Sequence, residues 1–295
     1  MKLKDFDYNL PKELIAQKAS KPRDHSRLLV FKRDKNIIEH KKFFNIIDYL
    51  NSGDVLVLNN SKVFPARLLG NKKDSGGKVE IFLHRKIKGQ LWQCILGGRN
   101  VKLGLEVEFS QGLKAKVLKN NNDGTWDVIF NKSGNQFMSV INSIGLMPLP
   151  PYIKRDKKVK SDKDNYQTVY AQSKKTGSVA APTAGLHFTP QLLKKIKQKG
   201  IEIEFVTLHV GLGTFAPVKT DDITKHKMHT EFAQISKKTL QNILKAKKEK
   251  RRVVAVGTTS VRVLEGIVKE ELKKQKNNLK ALLLLIKRQR LSLDC

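Results

Sequence analysis

Two segments, GSVAAPTAGLHFT (177–189) and TLHVGLGTFAP (207–217), are dense in Gly, Ala and Thr, and each is built around one histidine. Small residues let backbone approach a ligand closely, and a lone imidazole among them suits proton transfer near neutral pH better than packing. His187 and His209 are therefore the first candidates for acid–base chemistry. A third cluster, HKMHTE (226–231), sets His226 three residues before His229, with Glu231 two residues further on. On a helix the two rings would share a face; on a strand His229 and Glu231 would. A metal site would need another ligand at suitable spacing, so a hydrogen-bonded acid–base pair or a plain structural role is the better reading. In GLGTFAP, Gly211 and Gly213 free the backbone, and Phe215 offers a ring to a flat base or an organic cation, an attraction of ~0.5–2 kcal/mol.

The elements that must position these residues are legible in the second half of the chain. Thr189 can cap a helix, Pro190 suits its first position, LLKKI supplies the apolar stripe and Gly200 the left-handed stop. IEIEFVTLH alternates as a strand does and carries His209 to its end. Ser236 caps KKTLQNILKAKKEK, and RVVAVG reads as a buried strand running through Thr258, Thr259 and Ser260 into a helix that carries Arg262. A strand, tight turn and helix in that order offer unpaired N–H groups to an anion, although a capped helix start alone would look the same. PLPPYIKR forms a stiff extended strap, and its Tyr152, Lys154 and Arg155 could stack on a base and hold its phosphate. Asn59, Asn60, Lys62 and Arg67 follow a strand end, an ordinary place for a binding site; Arg67 could equally be an ion-pair partner.

The texture changes twice along the chain. Residues 1–62 mix helix and strand signals, including a helix-like FFNIIDYL. From about Val63 to Phe130 come short runs, KVEIFLH, LWQCIL, LEVEFS, LKAKVLK and TWDVIF, separated by Gly, Asn and Asp. Such runs predict a small barrel or meander. Helix and strand alternation returns after Pro148. One domain interrupted by a β insertion explains this better than two domains in series.

Composition sets the outer limits. A chain of 295 residues with 39% apolar content can bury a sizeable core. Its longest apolar run, Ala281–Ile286, is far short of the ~20 residues of a membrane span, and MKLKDFDYNL has no signal-peptide apolar region, so a soluble cytoplasmic protein is expected. Cys94 and Cys295 lack metal or redox spacing, and Cys94 reads as a small buried strand residue. The net charge of +31 permits a nucleic-acid partner without proving one, because 46 of the 58 basic residues are Lys and bidentate phosphate clamps favour Arg. No phosphate loop or dinucleotide fingerprint is present, which leaves a nucleotide hydrolase unsupported and makes an ordinary Rossmann methyltransferase the weaker reading.

The two histidine segments, with RLLV (27–30), GDVLVLNNSKVFPARLLG (53–70), PLPPYIKR (148–155), YQTVYA (166–171), HKMHTE (226–231) and AVGTTSVRVLE (255–265), resemble the S-adenosylmethionine:tRNA ribosyltransferase-isomerase family of queuosine biosynthesis. The resemblance runs in order to about residue 266. Beyond it the chain closes with KNNLKALLLLIKRQRLSLDC, which reads as an early ending or a frame change, with poor solubility or weak activity expected of this chain.

The resemblance implies an α/β main domain formed by both ends of the chain, 1–62 and 148–295, with an inserted antiparallel β-barrel domain, 63–147. It implies S-adenosylmethionine as ribosyl donor, no metal, and a tRNA bearing 7-aminomethyl-7-deazaguanine at the wobble position as acceptor. Adenine and methionine depart, and epoxyqueuosine-tRNA remains. Acid and base work falls to His187, His209 and His229, with Glu231 as orienter or partner and the division of roles open. Thr183, Gly185, Thr214, Phe215, Thr258, Thr259 and Arg262 would hold the cofactor; Arg67, Tyr152, Arg155, Tyr166 and Gln167 are the candidates for the tRNA side. No membrane is involved, and a monomer is expected. Two other classes fit parts of the pattern: a noncatalytic tRNA-binding remnant and, less well, an S-adenosylmethionine-dependent RNA methyltransferase.

Overall fold

Strands β5 (Arg67–Lys72), β6 (Lys78–Lys88), β7 (Leu91–Gly97), β8 (Glu106–Glu108), β9 (Lys114–Asn120) and β10 (Trp126–Phe130) close into an antiparallel barrel in the order β10-β7-β6-β5-β8-β9. Closure leaves no edge unpaired. The inward positions, among them Leu68, Ile81, Leu83, Cys94, Val117 and Val128, form one apolar core; helix α1 (Gly134–Ile144) adds Phe137 and Ile141 to it. The structure is a computed structural model and describes residues 1–155, 159–211, 218, 220–226, 231–274 and 292–293.

The second layer system is a five-stranded sheet drawn from chain on both sides of the barrel. Its order is β13-β12-β3-β14-β15, with β3 (Val55–Asn59), β12 (Glu202–His209), β13 (Phe232–Ile235), β14 (Val253–Val256) and β15 (Ser292–Leu293). Strand β3 pairs in parallel with β12 and β14, so the segment before the barrel lies between segments far after it. Parallel strands covered on both faces should be apolar throughout, and every residue of VLVLN is buried. Leu56 and Leu58 pack on one face with Phe43, Phe188, Leu192 and Ile196. Val55 and Val57 pack on the other with Val206, Leu208, Ile243 and Val263. The fold is thus an α/β domain made by both ends of the chain, with an antiparallel barrel inserted.

Local chemistry explains the element limits. In α3 (Pro190–Gln198) the Thr189 hydroxyl accepts the Leu192 N–H at 3.2 Å and donates to Asp24 at 2.8 Å, and Gly200 takes φ +81° past the other end. Thr189→Ala should therefore cost ~1 kcal/mol, the usual worth of such a cap, read as a lower urea midpoint at unchanged slope. Ser236 caps α4 (Lys237–Lys248) through the Thr239 N–H at 3.0 Å. Helix α5 (Gly257–Lys274) starts one turn earlier than its sequence suggests: Thr258–Ser260 are its first turn rather than a loop before it. FFNIIDYL is also no α-helix; Phe43–Tyr49 forms tighter 3-10 turns, with Phe43 and Ile46 facing the core. Cys94 lies buried in β7, and Cys295 falls outside the described residues. No helix among the described residues is long and apolar enough to cross a membrane.

Candidate active site

His187 ends a short 3-10 turn, Thr183–His187, just before α3. Its Nδ1 lies 2.9 Å from the Ser26 hydroxyl, whose own proton is given to the Arg23 carbonyl at 2.6 Å. A hydroxyl with its one proton committed can only accept, so Nδ1 carries the ring hydrogen and Nε2 keeps its lone pair. Burial, reinforced by the Arg23 guanidinium, holds the imidazole below its ordinary pKa. The ring is thus neutral near pH 7, with a bare Nε2, which is the state of a general base. The Phe43 ring, 5.1 Å away, covers one side. Gly185 makes this turn possible, because a Cβ there would land within the Tyr170 hydroxyl. Tyr170 is wedged between Phe188 and Phe205 and cannot swing away freely. Gly185→Ala should cost ~1–3 kcal/mol of stability by overpacking, read by urea unfolding, and should displace the turn that carries His187.

His209 ends β12 on the face shared by Ile203 and Phe205. It stacks on Phe232 with centroids 5.3 Å apart and planes 17° from parallel. Gly177 backs its other side so closely that a Cβ would stand 3.1 Å from the ring. Burial first, then Lys175, lowers the imidazole pKa, and its buried Nδ1 has no hydrogen-bond partner. The two histidine segments run alongside one another, since Val179 N–H donates to the Val210 carbonyl at 3.0 Å and Val210 N–H to the Ser178 hydroxyl at 3.0 Å. No direct contact between the imidazoles occurs.

Glu231 is almost wholly buried. One carboxylate oxygen accepts the Gly211 N–H at 2.8 Å, and the other meets the Arg262 guanidinium at 2.7 Å. It therefore ties the end of β12 to α5. Arg262, expected on the cofactor, forms this ion pair. Thr258 and Thr259 sit in the first turn of α5, where N–H groups lack helical acceptors. The Thr259 and Ser260 hydroxyls are buried without partners. Ala184, beside Thr183, packs against Gly257 at the same helix start. Thr214, Phe215 and His229 lie outside the described residues.

The residues expected on the RNA side are mostly committed elsewhere. Arg67 forms a two-pronged pair with Glu80 of the neighbouring strand β6, both bonds at 2.9 Å. Arg155 grips Asp162 in the same way, at 2.8 and 3.0 Å, and also donates to the Gln17 carbonyl. Tyr166 is buried, and burial pushes its hydroxyl up to about 12. Asn59 and Asn60 hold β12 through Leu208 and Thr207. Tyr152 alone among the five shows its ring to solvent, and Gln167 lines a cavity of about 740 Å³ between β4 (Lys62–Val63), α1 and residues 163–176.

Two residues had no signal in the sequence. Ser26 sets the His187 tautomer from a distant segment, and His84 of the barrel reaches Gly211, so that a Cβ on that glycine would meet it at 3.2 Å. Among the described residues, no three His, Cys, Asp or Glu side chains gather as they would around a metal.

The fold thus holds two imidazoles below their ordinary pKa and leaves hydroxyls unpartnered at a helix start, groups that suit an enzyme of acid–base and group-transfer chemistry. A family model described as Queuosine biosynthesis protein matches residues 3–288, past residue 266 and further than the motifs themselves carry. The chain belongs to that family. It is 51% identical over 266 residues to the S-adenosylmethionine:tRNA ribosyltransferase-isomerase of Sulfurihydrogenibium sp. (strain YO3AOP1), covering 90% of this chain and 77% of that protein. A solved S-adenosylmethionine tRNA ribosyltransferase from Thermotoga maritima is 35% identical and covers 90% of this chain and 73% of that one, at a TM-score of 0.42.

Proposed function

We propose that the chain transfers and isomerises the ribosyl part of S-adenosylmethionine onto 7-aminomethyl-7-deazaguanine at the wobble position of tRNA, in the cytoplasm, releasing adenine and methionine and leaving epoxyqueuosine. The observation that carries this reading is the neutral His187 with its free Nε2, in a chain half-identical to a named ribosyltransferase-isomerase. A sulfonium acidifies the carbon beside it, so the first requirement is a base, and His187 Nε2 supplies it. The imidazolium so formed lies half-buried beside Arg23 and gives its proton up readily, which suits the departure of adenine. The attacking amine must be neutral, and His209, held neutral by burial with Nδ1 unpartnered, accepts that proton.

Thr258 and Thr259 form the α5 start, against which Ala184 brings the turn of Thr183 and Gly185; this suits the methionyl carboxylate, since first-turn N–H groups and the orphaned Thr259 hydroxyl would complete their bonds there. Thr214, Phe215 and His229 stay in the proposal on the strength of the sequence alone. Glu231 and Arg262 position the site by holding Gly211. We take the domain limits as 63–147 for the barrel unit and 1–62 with 148–295 for the rest.

The test is product identity. Labelled S-adenosylmethionine and precursor-bearing tRNA should yield adenine and methionine in step with modification. S-adenosylhomocysteine and a methylated nucleoside would mark a methyltransferase instead, and binding without any product a noncatalytic tRNA binder.

A further inference from the structure

The cavity of about 740 Å³ is within the range of sites for small molecules, and its two walls differ in chemistry. Phe64, Pro65, Met138 and Met147 make one wall apolar and polarisable. Lys62, Lys163 and Arg23 line it with positive charge, against a single carboxylate, Asp164. None of the three cations forms an ion pair with a side chain among the described contacts. Arg23 is fixed by the carbonyls of Asp164 at 2.6 Å, Gln167 at 2.5 Å and Leu186 at 3.4 Å, and Lys62 donates to the Ser173 hydroxyl at 3.0 Å. Asp164 attracts Arg23, but Lys62 meets only a neutral acceptor, so three cations against one carboxylate leave the lining with net positive charge. Thr168, also in the lining, keeps a buried hydroxyl without a partner.

Two lining residues also adjoin the histidine segments. Arg23 binds the carbonyl of Leu186, the neighbour of His187, and lining residue Thr176 adjoins Gly177, which backs His209. Gln167 braces the wall: its carbonyl accepts the Val63 N–H at 3.1 Å and its amide donates to the Val63 carbonyl at 2.6 Å. An apolar wall with an aromatic ring and two thioethers, a surplus of cations and one orphaned hydroxyl match a nucleobase with its phosphate. They do not match S-adenosylmethionine, whose sulfonium would meet like charge.

We propose that this cavity takes one nucleotide turned out of the stack of a single-stranded RNA loop, its base against Met138 and Phe64 and its phosphate on Lys62 and Lys163. The inference rests on the reading of tRNA as substrate and names where that strand enters.

The test uses the full chain and a synthetic anticodon stem–loop with guanosine at the wobble position, titrated at several salt concentrations. Met138→Trp, which fills the apolar side, should weaken binding about 10-fold at unchanged salt slope, since base stacking in a site is worth ~1–3 kcal/mol. Lys62→Gln with Lys163→Gln, both in the cavity lining and neither buried, should weaken binding as much and flatten the slope by ~1.4, the share of two phosphate contacts on a single strand. Capture of labelled S-adenosylmethionine by equilibrium dialysis should stay at the parent level in both. The proposal is overturned if the parent does not bind the stem–loop, if the lysine pair leaves affinity and slope unchanged, or if cofactor capture falls while RNA binding holds. A parent that binds the stem–loop but releases no adenine from precursor-bearing tRNA would sink the ribosyltransferase reading and leave the cavity assignment standing.

Discussion

His187→Ala should lower adenine release about 100-fold, the scale on which removal of a general base is felt, while S-adenosylmethionine still binds. His209→Ala should lose a similar factor. The pH profile gives the sharper check. Burial holds both imidazoles below the ordinary histidine pKa of about 6.5, so the neutral, basic forms persist to lower pH than in free histidine. The acid limb of kcat/KM should therefore lie below ~6.5, with the rate rising as pH rises through it. Stability follows the same sign. Between the folded and unfolded pKa values the unfolded chain binds more protons, so the contribution is complete above ~6.5 and is lost as pH falls through the folded values. In His187→Ala one of these groups is gone, and the acid loss of stability should be shallower. Parent-like turnover in both variants would remove the chemistry from these two segments.

Glu231→Ala is expected to have the next largest effect. The carboxylate is almost fully buried and serves two partners, the Gly211 N–H and the Arg262 guanidinium, the latter about a third exposed. Breaking a fully buried pair costs ~3–5 kcal/mol, and exposure of the arginine reduces this to about 2 kcal/mol here. Activity should fall at least 10-fold as well, because Gly211 follows His209 and Val210 directly and loses its anchor to α5. Glu231→Gln separates a positioning role from proton transfer. A glutamine keeps an acceptor for Gly211 and loses the charge, so most activity should return. If the glutamine variant is as slow as the alanine one in kcat, Glu231 exchanges protons itself.

The helix starts at Thr189 and Ser236, the strand ending at His209 and the strand-dense barrel region could all be read in advance, because caps and apolar periodicity are set within a few neighbouring residues. The start of α5 was displaced by a turn, since Gly-Thr-Thr-Ser reads equally as a loop or as a first helical turn until β14 and Ala184 pack against it. FFNIIDYL showed helical spacing yet became 3-10 turns, as its Phe43 and Ile46 are held on the sheet face.

By itself the sequence determined the family and the insertion of a barrel into an α/β frame, both of which rest on contiguous motifs or local periodicity. Which atoms are free to react was decided only in three dimensions. His187 receives its tautomer from Ser26 across 161 positions, and Arg67 and Arg155 find Glu80 and Asp162 as ion-pair partners. Arg262 likewise meets the Glu231 carboxylate from another element. A charged or titratable side chain declares its type in the sequence, but its protonation and its availability depend on the partner and the solvent it finds after folding, and no local pattern encodes either.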